Sequence, residues 1–212
     1  MKNALKITAA ALCCMALVAC SQKGPAEAAL KAAETSMNEV KAEGAKYAPE
    51  QTKGLMLSYT AAQDAFNKGD YKAATEVAQG IPAKAQDVTA AVTAKKAELT
   101  KTWNELAASV PGMVEQIKSK VDALAAMKKL PKDMDAAKLD AAKASLADIT
   151  KSWGEASEAF KSGNLIDAVA KGNAVKTKAA DEMGALGLTA APATAAAPAA
   201  APAAPATAAK KY

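Results

Sequence analysis

From Ala26 to Leu186 the apolar residues return at alternating steps of three and four, the spacing that lines up side chains on one face of an α-helix. Ala26, Leu30, Ala33, Met37 and Val40 make a first stripe, opened by Pro25 and closed near Gly44. A helix-first proline and a terminal glycine suit those places. Pro49 opens a second helix, with Leu55, Tyr59, Ala62 and Phe66 on its inner face and Gly69-Asp70 at its end. Asp70 then has the side chain of an N-terminal cap for a third helix. This one carries Ala74, Val77, Ala78 and Ile81, bends at Pro82, and runs on through Val88, Val92, Leu99, Trp103 and Leu106. Pro111-Gly112 interrupts the chain, and Val114, Ile117, Val121 and Leu124 follow until Leu130-Pro131. The stripe hardly changes phase across Pro111, so a kinked continuation competes there with a full turn. Leu139, Ala142, Leu146, Ile149, Trp153, Ala156 and Phe160 form the most regular stripe, ended by Gly163-Asn164. Leu165, Ala168, Gly172, Val175, Ala179, Met183 and Leu186 form the last. No segment alternates as a half-buried strand does. The expected fold is all-α: an elongated antiparallel bundle of five helices, or six if Pro111 turns the chain.

Laying Phe66-Asn67-Lys68-Gly69-Asp70-Tyr71 over Phe160-Lys161-Ser162-Gly163-Asn164-Leu165 reveals a repeat at an offset of 94 residues. Pro25 answers Pro111 and Leu30 answers Ile117 at a somewhat different spacing. A duplicated unit of three helices accounts for both, and convergent alanine-rich composition is its rival. The organisation expected is a signal peptide at 1–19, a lipidated N-terminus at 20–24, helical units at 25–110 and 111–187, and a tail at 188–212. That tail is Ala-Pro-Thr-rich, with Pro192, Pro198, Pro202 and Pro205 barring a single helix. Its small side chains bury too little surface to fold, so it is expected to be disordered. In a polyproline conformation it could reach about 75 Å.

Hydrophobic residues make up 51% of the 212-residue chain but aromatics only 4%. Alanine therefore supplies much of the core, which should be narrow, with helices in close approach. Every basic side chain is a lysine. After loss of the signal, 25 lysines face 22 acids, a net +3, and they alternate with acids along the helices. Nucleic-acid recognition draws on arginine forks and a clustered basic face, so nucleic acid is not an expected partner.

The N-terminus adds a location to the fold. Met1-Lys2-Asn3-Ala4-Leu5-Lys6 is a short basic start, Ile7 to Ala19 is apolar, and Ser21-Gln22-Lys23 turns polar, the layout of an export signal. The apolar run is shorter than the roughly 20 residues a spanning helix needs. Leu17-Val18-Ala19-Cys20 resembles the bacterial lipobox. The resemblance implies diacylglycerol on the Cys20 thiol, cleavage before Cys20, and acylation of the freed amine, with palmitate among the acyl chains. Each buried acyl methylene contributes about 0.8 kcal/mol, so two or three chains anchor durably. Ser21 stands where enteric bacteria place an inner-membrane-retention aspartate, which implies the outer membrane, facing the periplasm. An ordinary secretory signal with a chance cysteine is the bland alternative. Cys13 and Cys14 leave with the signal, so Cys20 has no thiol partner for a disulfide or a metal cluster.

Gly44-Ala45-Lys46-Tyr47-Ala48-Pro49-Glu50, followed by Gly69-Asp70-Tyr71-Lys72-Ala73-Ala74, resembles a family of bacterial envelope lipoproteins with an uncharacterised helical domain. The likeness covers about Ala26 to Leu99 and implies location more than mechanism; the membrane, peptidoglycan and other envelope proteins are the candidate partners. Phe66 to Pro82 is similar to part of a tetratricopeptide unit, with Gly69, Tyr71, Ala74 and Ala78 at familiar spacings, but no next unit arrives at the 34-residue period. Braun-type lipoproteins pair a lipid cysteine with a C-terminal lysine joined to the wall. Here Tyr212 follows Lys210 and Lys211, so that attachment is not expected.

The chain contains no histidine, the commonest general base and metal ligand. A Ser-Lys dyad remains as an enzyme idea, for instance Lys151 beside Ser152, but adjacent helix residues do not face each other. Asp133, Asp135 and Asp140 cluster near a helix start, where carboxylates favour the helix dipole; a calcium site is the lesser reading. Trp103, Trp153, Tyr59 and Phe160 read as core, with a ligand groove as the minority alternative, and Met37, Met113, Met127 and Met183 as gap-fillers. The expectation is a non-enzymatic spacer or scaffold with no catalytic residue, metal or cofactor. The alternative is a lipid-anchored adaptor holding a periplasmic peptide or small ligand in a helical groove.

Overall fold

A computed structural model of the chain describes the backbone of residues 2–188 and the side chains of residues 22–188. Five helices follow one another: α1 (Lys2–Tyr47), α2 (Pro49–Asn67), α3 (Tyr71–Ala125), α4 (Ala136–Lys161) and α5 (Leu165–Ala185). Among the described residues there is no strand. The all-α reading holds, and the count is five because Pro111 lies inside α3. The tail expected from Leu188 onward lies, beyond that first residue, outside the described residues.

Several boundaries fall elsewhere than the sequence suggested. Pro25 sits within α1 rather than at its first position, and Gly44 does not end that helix. The stop comes from Pro49. Its ring disfavours the helical conformation for the residue before it, and Ala48 accordingly takes φ −142° and ψ 58°. Helical bonding resumes at once, with the Thr52 amide donating to the Ala48 carbonyl at 3.0 Å. Gly44 serves α1 by its size instead: a Cβ there would collide with Thr52 Oγ1 and lie 2.8 Å from Val88 Cγ1. At its other end, α3 stops at Ala125, short of Leu130-Pro131. Leu124 is its last buried side chain, and Lys128 and Lys129 on the next turn are exposed, so further helix would bury nothing.

Pro82 and Pro111 each lack the amide that would bond one turn back, yet α3 continues through both. Burial keeps it in phase: Ile81, Ala85 and Val88 are buried around the first proline, and Val110 and Ile117 around the second. The chain divides into two compact units, Met1–Glu98 and Leu99–Tyr212. The division therefore falls inside α3, ahead of the expected boundary between 110 and 111. Side-chain contacts explain the shift. Val88 lies against Gly44 of α1, and Lys96 pairs with Glu43, whereas Trp103 stacks on α4 and Leu106 lies against Gly172 of α5. A proline bends a helix without choosing its partners; the residues after Glu98 choose the second unit.

Each unit contains a helical hairpin closed by the same turn. In the first, the Asp70 amide donates to the Ala65 carbonyl and the Gly69 amide to that of Phe66, both at 3.0 Å. In the second, Asn164 donates to Ala159 at 2.9 Å and Gly163 to Phe160 at 3.0 Å. These are paired Schellman bonds, and they require the left-handed φ of +81° at Gly69 and +79° at Gly163. Burial keeps the 94-residue register as well: Leu55 and Ile149, Ala62 and Ala156, Ala74 and Ala168, Ile81 and Val175, Ala85 and Ala179, and Val92 and Leu186 are all buried. Helix starts differ more. Asp70 caps α3 by accepting from the Ala73 amide at 3.1 Å, and Asp135 caps α4 by accepting from Lys138 at 2.8 Å. Asn164 instead turns its amide group to the Asp167 carboxylate.

Candidate functional site

The residues singled out for chemistry, Leu17, Val18, Ala19 and Cys20, fall within the span of α1, but their side chains lie outside the described residues. What is described is the ground beside them. Gln22, Lys23, Gly24 and Pro25 are exposed, and Ala26 is 0% exposed. Among the described side chains the first buried one, Ala26, stands six positions after Cys20. Gln22 and Pro25 line a shallow cleft with Lys72, Thr75 and Glu76, so this part of α1 lies against the start of α3. Among the described residues no helix is long and apolar enough to cross a membrane.

In the second unit the aromatic residues gather in one place. The Trp103 ring lies between two α4 rings: Trp153 at 5.2 Å between centroids and an interplanar angle of 6°, and Phe160 at 4.8 Å and 10°. Residues 153 and 160 are two helical turns apart, so a single ring from α3 fits between them. Gly172 of α5 leaves space for this layer: a Cβ there would lie 2.9 Å from Leu106 Cδ1 and 3.5 Å from Trp103 Cζ3. Trp103 is 6% exposed and Trp153 and Phe160 are half-buried. Such stacked pairs stabilise by about 0.5–1.5 kcal/mol beyond their burial. The rings fill one another's faces and leave no slot for a flat ligand between them.

The first unit has no such layer. Tyr59, at the position equivalent to Trp153, joins α2 to α1 through hydrogen bonds with Glu34 and, within α2, Gln63. Burial and then the Glu34 charge hold its phenol above the ordinary tyrosine value of 10.0, so it stays protonated at neutral pH and offers no base. Lys46 and Lys96 stand 5.3 and 5.1 Å from the centre of the Tyr47 ring, a cation–π pairing. Sequence reading missed this group because Lys96 is far from Tyr47 along the chain. A turn of lysines near an aromatic is too common to have marked it.

A serine and a lysine do meet, though not at Lys151 and Ser152: Lys84 Nζ donates to Ser58 Oγ at 2.6 Å. The Ser58 hydroxyl in turn donates to the Gly54 carbonyl at 3.0 Å. A charged ammonium as donor, with the hydroxyl proton directed at a backbone carbonyl, is the reverse of an activated nucleophile. Two of the three clustered aspartates take structural roles: Asp135 caps α4 and Asp140 pairs with Lys143 at 3.0 Å, while Asp133 is joined to Lys138 Nζ through its backbone carbonyl at 3.0 Å. Among the described residues no group of three or more Cys, Asp or Glu side chains is placed to hold a metal ion.

The α4–α5 hairpin is tied on its surface by Lys171 to Glu155 at 3.2 Å and Lys178 to Asp148. The Lys178 hydrogen bond, followed by its charge, holds the Asp148 carboxyl below the ordinary value of 3.8. A depressed folded-state value means that the contribution is fully present above pH 3.8 and is lost as pH falls through the lower folded value. A carboxyl-resolved NMR titration should give Asp148 a midpoint below 3.8, and Lys178→Met should return it toward the ordinary value. An unshifted midpoint in the parent chain would show that the pair does not persist in solution.

Besides a shallow cleft at Ser152, Glu155 and Lys171 on the α4–α5 hairpin, two more open clefts lie among the described residues. One is lined by Ala45, Pro49, Thr52 and Lys53 and edged by Met56 and Leu57, the latter 63% exposed. The other lies in the second unit between Met134, Ala142 and Leu186. Neither has a buried, unpartnered polar side chain aimed into it; among the described residues there is none. No protein-family model, curated protein or solved structure matches the chain.

Proposed function

We propose that this chain is a bacterial envelope lipoprotein, held to the periplasmic face of the outer membrane by lipid on Cys20, in which a non-enzymatic helical body acts as a spacer or scaffold. The observation that carries the reading is Leu17-Val18-Ala19-Cys20 at the end of a basic-then-apolar start, with Ala26, six positions on, already buried. A folded body that close to the lipid cysteine leaves little slack, as a spacer requires. Supporting the absence of catalysis are the missing histidine, the Lys84–Ser58 polarity, and the capping role of Asp135. The repeated hairpin fits duplication of a structural unit, and the Ala-Pro-Thr tail, from Leu188 to Tyr212, would extend toward peptidoglycan or another envelope protein.

A binding adaptor would need an apolar concavity that its own side chains leave open. The rings best suited to hold a ligand are stacked on one another instead, which favours the spacer. Cells expressing the parent chain should incorporate labelled palmitate into it, and the Cys20→Ala variant should incorporate none. A parent chain without label would overturn the anchor.

A further inference from the structure

From Pro49 to Lys68 the charged side chains are Glu50, Lys53, Asp64 and Lys68, with none between Lys53 and Asp64. All four are exposed, and none forms an ion pair among the described residues. Lys53, Leu57, Thr60 and Asp64 recur at steps of four, three and four, so they share the face of α2 turned away from its buried Leu55 and Ala62. At the centre of that face Leu57 is 63% exposed, more than any other large apolar side chain among the described residues. We propose that this face docks a second copy of the chain, the two α2 helices lying antiparallel across a two-fold axis between Leu57 and Thr60. The inference stands independently of the anchor at Cys20.

Charge order selects the occupant. Along α2 the signs run negative, positive, negative, positive, and turning the helix end for end inverts that order. An antiparallel copy therefore sets Lys53 of one chain opposite Asp64 of the other, and Glu50 beside Lys68, twice over. A parallel copy would set each charge against its like. Between these pairs Leu57 of one copy meets Thr60 and Ala61 of the other, an uncharged centre with charged flanks, as a self-complementary two-fold interface requires. The second hairpin shows that packing within a hairpin does not demand this surface. At the 94-residue offset, Asp148, Lys151 and Glu155 of α4 stand where α2 has Gly54, Leu57 and Ala61. There Asp148 pairs with Lys178 and Glu155 with Lys171 across the hairpin surface. In the first hairpin Ala61 and Val77 take the places of Glu155 and Lys171, and Val77 is 37% exposed. The two hairpins share their turn and their buried register, so the loss of charge is specific to the outer surface of the first. Loss of charge at the centre of a patch is what burial against a partner favours.

The test uses the chain from residue 20 to residue 212 carrying Cys20→Ser, so that neither lipid nor a disulfide can join two copies. Sedimentation equilibrium should show monomer and dimer exchanging with concentration. Leu57→Lys, which supplies the side chain found at the equivalent position of α4, should leave a monomer of unchanged helical content. Lys53→Glu acts twice across the two-fold axis and should raise the dimer dissociation constant about tenfold. Adding Asp64→Lys to that variant exchanges the two charges and should restore the parent value, a rescue that a merely apolar contact would not show. A monomer at every concentration would overturn the proposal, and if deleting residues 189–212 then speeds amide exchange along α2, the face belongs to the chain's own tail. A dimer unchanged by Leu57→Lys would overturn it as well, as would one that Lys53→Glu weakens and the charge exchange does not restore. Palmitate incorporation, which tests the anchor, is read on the parent chain in cells and has no bearing on these outcomes.

Discussion

Replacing Trp103 by alanine is expected to destabilise the second unit by about 3–5 kcal/mol, the range for removing a buried tryptophan. The ring is 6% exposed, lies between Trp153 and Phe160, and helps roof the space left by Gly172. Its removal would strip one face from each neighbouring ring and leave a void that three helices would have to close. Trp153 would then be the chain's one remaining tryptophan, so its fluorescence would follow unfolding in urea. The midpoint should fall with little change in slope, as expected when stability rather than exposed area changes. Trp103→Phe, which keeps a ring in the stack, should cost much less. A loss under about 1 kcal/mol for Trp103→Ala would be too small for a core residue. It would revive the reading in which this aromatic group is a ligand surface.

The same ring shows what sequence could and could not deliver. That Trp103, Trp153 and Phe160 point inward follows from helical spacing alone, because a stripe of period 3.6 records its own buried face. That they stack on one another depends on the register between α3 and α4, and nothing local encodes it. The small side chain at position 172 was visible on the last stripe, but its use as space for Leu106 and Trp103 was not. Turn chemistry was similarly legible: Gly69, Gly163 and Asp70 act within a few residues of themselves, through a left-handed backbone or a cap, whereas Asp135 was legible only as one of three carboxylates near a helix start.

Pro25 and Gly44 look like boundaries in the sequence and are not, and at Pro111, where the sequence leaves a turn and a kinked continuation open, the helix continues. A proline costs a helix one hydrogen bond and some strain, about 3 kcal/mol, and burial of flanking residues such as Val110 and Ile117 offsets a cost of that size. The candidate site divides in the same way. A lipobox-like segment is linear and can be read directly, whereas the approach of Gln22 and Pro25 to Lys72 is made only when α1 and α3 pack.

Two alanine substitutions in the first unit should act with opposite signs, and together they test the close approach of its helices. On propensity alone each should stabilise, since glycine in a helix interior is about 0.5–1 kcal/mol worse than alanine. Gly54 of α2 has open space where a Cβ would go, so Gly54→Ala should realise that gain. Gly44 of α1 has none. Its Cβ would strike Thr52 Oγ1 and press on Val88 Cγ1 at 2.8 Å. Neither neighbour yields easily. Both are β-branched and stiff at χ1, both are buried, and the Thr52 hydroxyl is fixed by donating to the Ala48 carbonyl at 2.8 Å. Relief would require α1 to move away from α2 and α3, and overpacking of this kind costs about 1–3 kcal/mol. Gly44→Ala should therefore lower the unfolding free energy and speed hydrogen exchange along α1 and α2, while Gly54→Ala slows it. If both variants stabilise, Gly44 is not a contact point, and the closure of the hairpin at Ala48-Pro49 must be looser than these distances require.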